Sequence, residues 1–141
     1  MRIHHRLSLA VAMLAVATAG HAQQHHPQKA AAPTATVKPI LTEPLPEYPG
    51  KEGHILTVTY PPGGESPLHH HDAYAFVYVI EGSVTMAVQG GQEVTLNAGQ
   101  SWSEKPGDVH AVSRNASKTH PAKFVVFMLK DIGKPAVIPG P

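Results

Sequence analysis

Cysteine is absent from the 141 residues. That excludes disulfides, thiolate metal sites and cysteine nucleophiles, so any metal must be held through nitrogen or oxygen. A surplus of charge is missing too. Lys and Arg number 11 against 10 Asp and Glu, a formal net charge of +1, which lacks the basic excess that neutralises phosphates along a nucleic acid. Aromatic residues make up only 6%, and no helical periodicity is long enough to compete with the short β-branched runs of the C-terminal two thirds. With its ends set aside, so short a chain can build one hydrophobic core and not two. Histidine is plentiful, at 11 residues, and imidazole is the commonest side-chain ligand for divalent transition metals. Where those histidines fall decides the functional reading.

The first residues read as an address. Arg2, His4, His5 and Arg6 make a polar, positive start, and Leu7 to Ala19 is an apolar stretch too short to span a bilayer comfortably. It ends in Gly20-His21-Ala22, with small residues at the positions a signal peptidase needs. Residues 1–22 are therefore expected to be a signal peptide cleaved after Ala22, giving a periplasmic or secreted protein with no membrane contact after cleavage; the alternative is an uncleaved anchor. Residues 23–49 are rich in Ala, Pro, Thr and Gln with little apolar periodicity, which predicts a flexible linker. His25 and His26 lie in it, where an adjacent pair is ordinarily solvated.

From residue 50 to 132 the pattern changes to short strands separated by turn residues, and residues 133–141 read as a C-terminal tail. The expected strands are His54–Tyr60, Leu68–His71, Ala73–Glu81, Ser83–Val88, Glu93–Leu96, Ser101–Glu104, Val109–Arg114 and Ala122–Lys130. Gly90-Gly91 has the composition of a two-residue hairpin turn. Eight short strands at this spacing predict an all-β fold, a single jelly-roll β-barrel. Side chains alternate along a strand, so His69 and His71 share one face and His70 takes the other. On the next strand Ala75, Val77 and Val79 share a face, opposite Tyr74, Phe76, Tyr78 and Ile80. Both faces are apolar, as expected of a strand placed between a barrel lumen and a partner subunit, which points to a homodimer.

A divalent ion needs lone pairs converging on one point, and two histidines at i and i+2 on a strand supply two of them without distorting the backbone. His110, opening a strand after the Pro106-Gly107 turn, is the natural third ligand. Here the sequence resembles the cupin family. Its first motif, a Gly, His-x-His, a Glu and a Gly, is matched by Gly63, His69, His71 and Gly82; its second, Gly, Pro-x-Gly, His and Asn, is matched by Gly99, Gly107 and His110. The resemblance runs from Gly53 to Lys130 and implies that His69, His71 and His110 hold a divalent metal (Fe, Mn, Zn or Ni) in the barrel lumen. It departs in three places. The family's glutamate ligand falls on Ala75, which has no donor atom; its proline falls on Lys105, with Pro106 one place late; its asparagine falls on Arg114, with Asn115 one place late. Glu104 and Glu65 are the carboxylates that could stand in for the missing ligand, but both lie in or near turns, where such residues are expected to be solvated.

Without that glutamate the ion would keep more charge and more open positions, which suits a small hydroxylated, aromatic or anionic molecule bound directly to it. The resemblance implies a dioxygenase or related metal-dependent enzyme; the alternatives are a non-catalytic binder of metal or small molecules and a metal-free structural cupin. No catalytic acid or base is identifiable. Tyr74, Phe76 and Tyr78 are assigned to packing rather than to a pocket, Trp102 is left without a role, and Asn115-Ala116-Ser117 fits a glycosylation pattern that is common by chance.

Overall fold

A computed structural model describes residues 31–141. The expected signal peptide and the first residues of the expected linker lie outside that range. Among the described residues there is no helix and there are ten strands: β1 Thr36–Pro44, β2 Lys51–Tyr60, β3 His69–His70, β4 Ala73–Glu81, β5 Ser83–Val88, β6 Val94–Asn97, β7 Ser101–Glu104, β8 Val109–Asn115, β9 Ala122–Asp131 and β10 Ile138–Pro139. They form two five-stranded antiparallel sheets, ordered β1-β2-β9-β4-β7 and β10-β3-β8-β5-β6. The core lies between them and is built from Leu56, Val58, Val77, Phe124, Val126 and Met128 with their neighbours. This is the expected all-β jelly roll.

Parity accounts for most of the packing. Along β4 the residues Ala73, Ala75, Val77 and Val79 are buried and Tyr74, Phe76, Tyr78 and Ile80 are exposed. Gly82 turns the chain from β4 into β5 with φ of +70°, and a Cβ there would stand 2.5 Å from the Pro121 carbonyl, so only glycine fits.

Two expectations need correction. The linker expected over 23–49 is, from Thr36 to Pro44, a nine-residue edge strand laid along β2. Every residue of β1 is exposed, so no burial pattern marked it, and its prolines are tolerated because an edge strand leaves one row of backbone groups unpaired. The turn at Gly90-Gly91 is not a two-residue hairpin: β5 and β6 are separated by residues 89–93, and only Gly90 of the pair has positive φ. The tail beyond residue 132 is docked. Ile138 and Pro139 pair with His70 and His69, and the Gly140 amide donates to the Leu68 carbonyl.

β8 carries a bulge that sequence parity could not show. Its register against β5 shifts so that Ala87 faces Val112 while Val88 faces His110. One extra residue lets His110, Ser113 and Asn115 all be buried, where strict alternation would have put Val112 and Arg114 inside with His110. The asparagine that falls one place late in sequence is thereby brought inside. Asn115 donates to the Pro61 and His120 carbonyls and accepts from the Ser117 amide, so this buried residue of the glycosylation pattern is a loop staple.

Candidate metal centre

His69, His71 and His110 are all buried, and each offers a ring nitrogen lying within 4.8 Å of those of the others. Register brings them together: His69 is the direct cross-strand partner of His110 between β3 and β8, and His71 follows His69 by two residues. The ring centroids of His69 stand 5.0 Å from those of both His71 and His110. Two of the rings are oriented by backbone carbonyls. His69 Nδ1 donates to the Pro67 carbonyl at 2.7 Å and His71 Nδ1 to the Ala136 carbonyl at 2.5 Å, which leaves each Nε2 with a free lone pair. The Ala136 carbonyl belongs to the docked tail.

Glu104 was expected to be solvated and is instead only 2% exposed. It ends β7 directly opposite Ala75 of β4, on the inner face. One oxygen, Oε1, lies 3.9 Å from His71 Nε2, and the other, Oε2, lies 3.6 Å from His110 Nδ1. Trp102, two residues earlier on the same face, packs its ring against His110 with centroids 5.1 Å apart. Glu65, the other candidate carboxylate, is exposed, and its backbone forms isolated bridges with Thr34 and Arg114.

The electrostatics follow from burial. Desolvation holds all three imidazoles below the usual histidine range, His110 down to about 3 with the neighbouring His69 and His71 adding to the effect. In His69 and His71 the carbonyl partners oppose that push. Glu104 is raised to about 7, first by burial and then by the charge of Asp108. Neutral imidazoles are the form a metal requires. Both nitrogens of His110 and Oε2 of Glu104 are buried without a hydrogen-bond partner. Such groups are costly unless something compensates them, and converging lone pairs from three imidazoles beside a carboxylate suit a divalent ion such as Fe, Mn, Zn or Ni.

The imidazoles and Glu104 line a cavity of about 460 Å³ whose other walls are mostly apolar, including Leu56, Val77, Phe124 and Met128. Terminal segments help to close it, through Thr34, Ala35 and Val37 on one side and Ala136, Val137 and Pro139 on the other. Besides Thr34, the wall carries a hydroxyl cluster in which the Tyr60 hydroxyl bonds Ser66 Oγ and Ser113 Oγ, each at 2.7 Å. Among the described lining residues none is Lys or Arg.

Comparison with known proteins agrees with this architecture. A cupin domain from Bordetella pertussis superimposes with a TM-score of 0.57 at 22% identity, over 71% of this chain and 97% of that one. An oxalate oxidase bound to the substrate analogue glycolate gives 0.56 at 22% identity, over 74% of this chain and 54% of that one. A DMSP lyase from Ruegeria pomeroyi gives 0.54 at 21% identity, over 61% of this chain and 42% of that one. At these identities the likeness is one of fold. No curated protein matches the sequence. The cupin-domain family matches residues 56–128, more than half of the chain and the stretch that carries all three histidines and Glu104, and the protein belongs to the cupin family.

Proposed function

We propose that this chain is an exported, metal-dependent cupin enzyme of the periplasm or exterior, a dioxygenase acting on a small, largely apolar hydroxylated or aromatic molecule. One observation carries the reading: three buried imidazoles, two with Nδ1 tied to carbonyls, converge at the polar end of a mostly apolar cavity of about 460 Å³. The sequence left an anionic ligand open. A bound divalent ion would itself offset an anionic group at the metal, while the mostly apolar lining, with no Lys or Arg among the described lining residues, suits an apolar body for the rest of the ligand. A bound ion would supply Lewis-acid polarisation of a ligand oxygen and, as iron(II), electrons for O₂ chemistry. The chain's own residues would hold the ligand's apolar body against Leu56, Val77 and Phe124, exclude water, and offer the Tyr60 hydroxyl cluster to a second polar group.

The row Leu41, Ile55, Phe127 and Phe76, exposed except for the half-buried Ile55, runs in register across the outer face of β1, β2, β9 and β4 and would seat a second copy as a homodimer. A non-catalytic metal or small-molecule binder is the second reading, favoured by the scarcity of proton-transferring side chains in the wall, where Glu104 is the one carboxylate among the described residues.

The test is metal analysis of the purified protein, then oxygen uptake with iron(II) and a panel of catechols, flavonols and thiols. Substrate-dependent uptake that His69→Ala and His110→Ala abolish supports the enzyme. Metal retention without uptake on any substrate supports the binder.

A further inference from the structure

We propose that Glu104 on β7 supplies the carboxylate arm of the metal centre, from the strand beside the one on which Ala75 leaves the donor position empty. This rests on the metal centre proposed above and concerns which side chains complete it. Register is the first support. Ala75 and Glu104 are direct partners across β4 and β7, and directly opposed residues hold their Cβ atoms about 5 Å apart. A carboxylate rooted at 104 therefore reaches the space that one rooted at 75 would occupy. The methyl of Ala75 leaves that space open, and two carboxylates there would repel each other.

One distance fits a shared ion, although the tightest group of donors is the three ring nitrogens without Glu104. Two donors bound at about 2.1 Å to one ion stand at most about 4.2 Å apart, and Glu104 Oε1 lies 3.9 Å from His71 Nε2, the nitrogen left free by the Ala136 contact. The second oxygen completes a pattern. His69 and His71 each rest Nδ1 on a carbonyl, whereas His110 has no hydrogen-bond partner, and the acceptor beside its Nδ1 is Glu104 Oε2 at 3.6 Å. One carboxylate would thus face the ion through Oε1, while Oε2 stands beside the third imidazole just beyond hydrogen-bond distance. Among the described residues no Lys or Arg pairs with Glu104, and its nearest ring neighbours are neutral imidazoles, so a cation between them is what would offset its burial.

The probe is cobalt(II), titrated calorimetrically into the full chain, with the visible spectrum of the bound ion as second readout. Glu104→Gln keeps the volume and removes the charge. It is expected to weaken cobalt binding at least about tenfold and to shift the visible bands, while the metal-free variant melts no lower than the parent because a buried unpartnered carboxylate is gone. Moving the carboxylate back, in the double variant Ala75→Glu with Glu104→Ala, is expected to recover both affinity and spectrum. Unchanged affinity in Glu104→Gln alongside loss in His110→Ala overturns the assignment and leaves a three-histidine centre standing. Weaker binding with an unchanged spectrum also overturns it, since the carboxylate would then act on His110 alone. No cobalt binding by the parent chain overturns the centre and the arm together.

Discussion

Two clusters of polar side chains face the same apolar cavity, and their surroundings differ. At one, the Tyr60 hydroxyl is buried with partners in both Ser66 and Ser113. At the other, His110 and one oxygen of Glu104 are equally buried with no partner. A buried polar group left unpaired costs about 1–3 kcal/mol, so the first cluster is consistent with fold maintenance alone and the second is not. Placing the unpaired groups beside two further imidazoles whose outer nitrogens are already tied down is how a fold keeps a ligand site ready. The difference separates a structural polar cluster from a functional one.

The largest expected effect separates the two ends by pH in the metal-free protein. Imidazoles held below their ordinary pKa leave the folded state with fewer bound protons than the unfolded state at pH below about 6.5. Their stabilising contribution is therefore lost as pH falls from 6.5 toward the folded value of about 3 for His110. Glu104 has the opposite sign: raised to about 7, it contributes stability below its ordinary value of 4.5 that is lost as pH rises through 7. Three imidazoles stand against one carboxyl between pH 4.5 and 6.5, so chelator-treated protein should lose stability on acidification across that window, measured by urea unfolding at each pH. In Glu104→Gln the acid limb should steepen, because the opposing contribution is gone. A flat profile down to pH 4 would mean that the imidazoles are not buried as described.

Next in size is His110→Ala, expected to lower metal affinity more than about 100-fold, beyond what is lost when a supporting group rather than a ligand is removed. Chelator competition would measure it, and the metal-free melting point should barely move because two unpaired nitrogens leave with the ring. Deleting residues 135–141 removes the Ala136 carbonyl that holds His71 Nδ1, together with the pairing of Ile138 and Pro139 to β3. Metal affinity should fall about 10- to 100-fold, and full retention of affinity would show that the tail is only draped over the site.

How much of this could be read in advance depended on whether the signal sat in a side chain's own strand. The inward set Ala75, Val77 and Val79 was legible because a strand's period of two is independent of context, and the three histidines because their spacing and the turn before His110 match the family's motifs. Glu104 was misread: its strand is four residues long and abuts the Lys105-Pro106-Gly107 turn, so nothing local distinguished a buried carboxylate from a solvated one. The signal available was the pairing with Ala75, which requires knowing that β7 lies beside β4. The Ala136 carbonyl was invisible for a different reason, since any residue carries one. β1 escaped notice because an edge strand with no buried side chain has no pattern to show, and the bulge in β8 moved the asparagine inside without any residue type announcing it.

The smallest effect tests the satisfied end. Tyr60→Phe removes the hydroxyl that Ser66 and Ser113 share and keeps the ring against Phe124. The two serines then need new partners in a wall that is otherwise apolar on that side, and the loss should be about 1–2 kcal/mol, a drop of a few degrees in melting temperature for a domain of this size. Metal affinity should be unchanged, because no atom of the cluster belongs to the group formed by His69, His71 and His110. If Tyr60→Phe instead left stability intact and weakened binding of an apolar hydroxylated ligand, the hydroxyl would belong to the ligand site, and the two ends of the cavity would have to be read as one recognition surface with the metal at one pole and Tyr60 at the other.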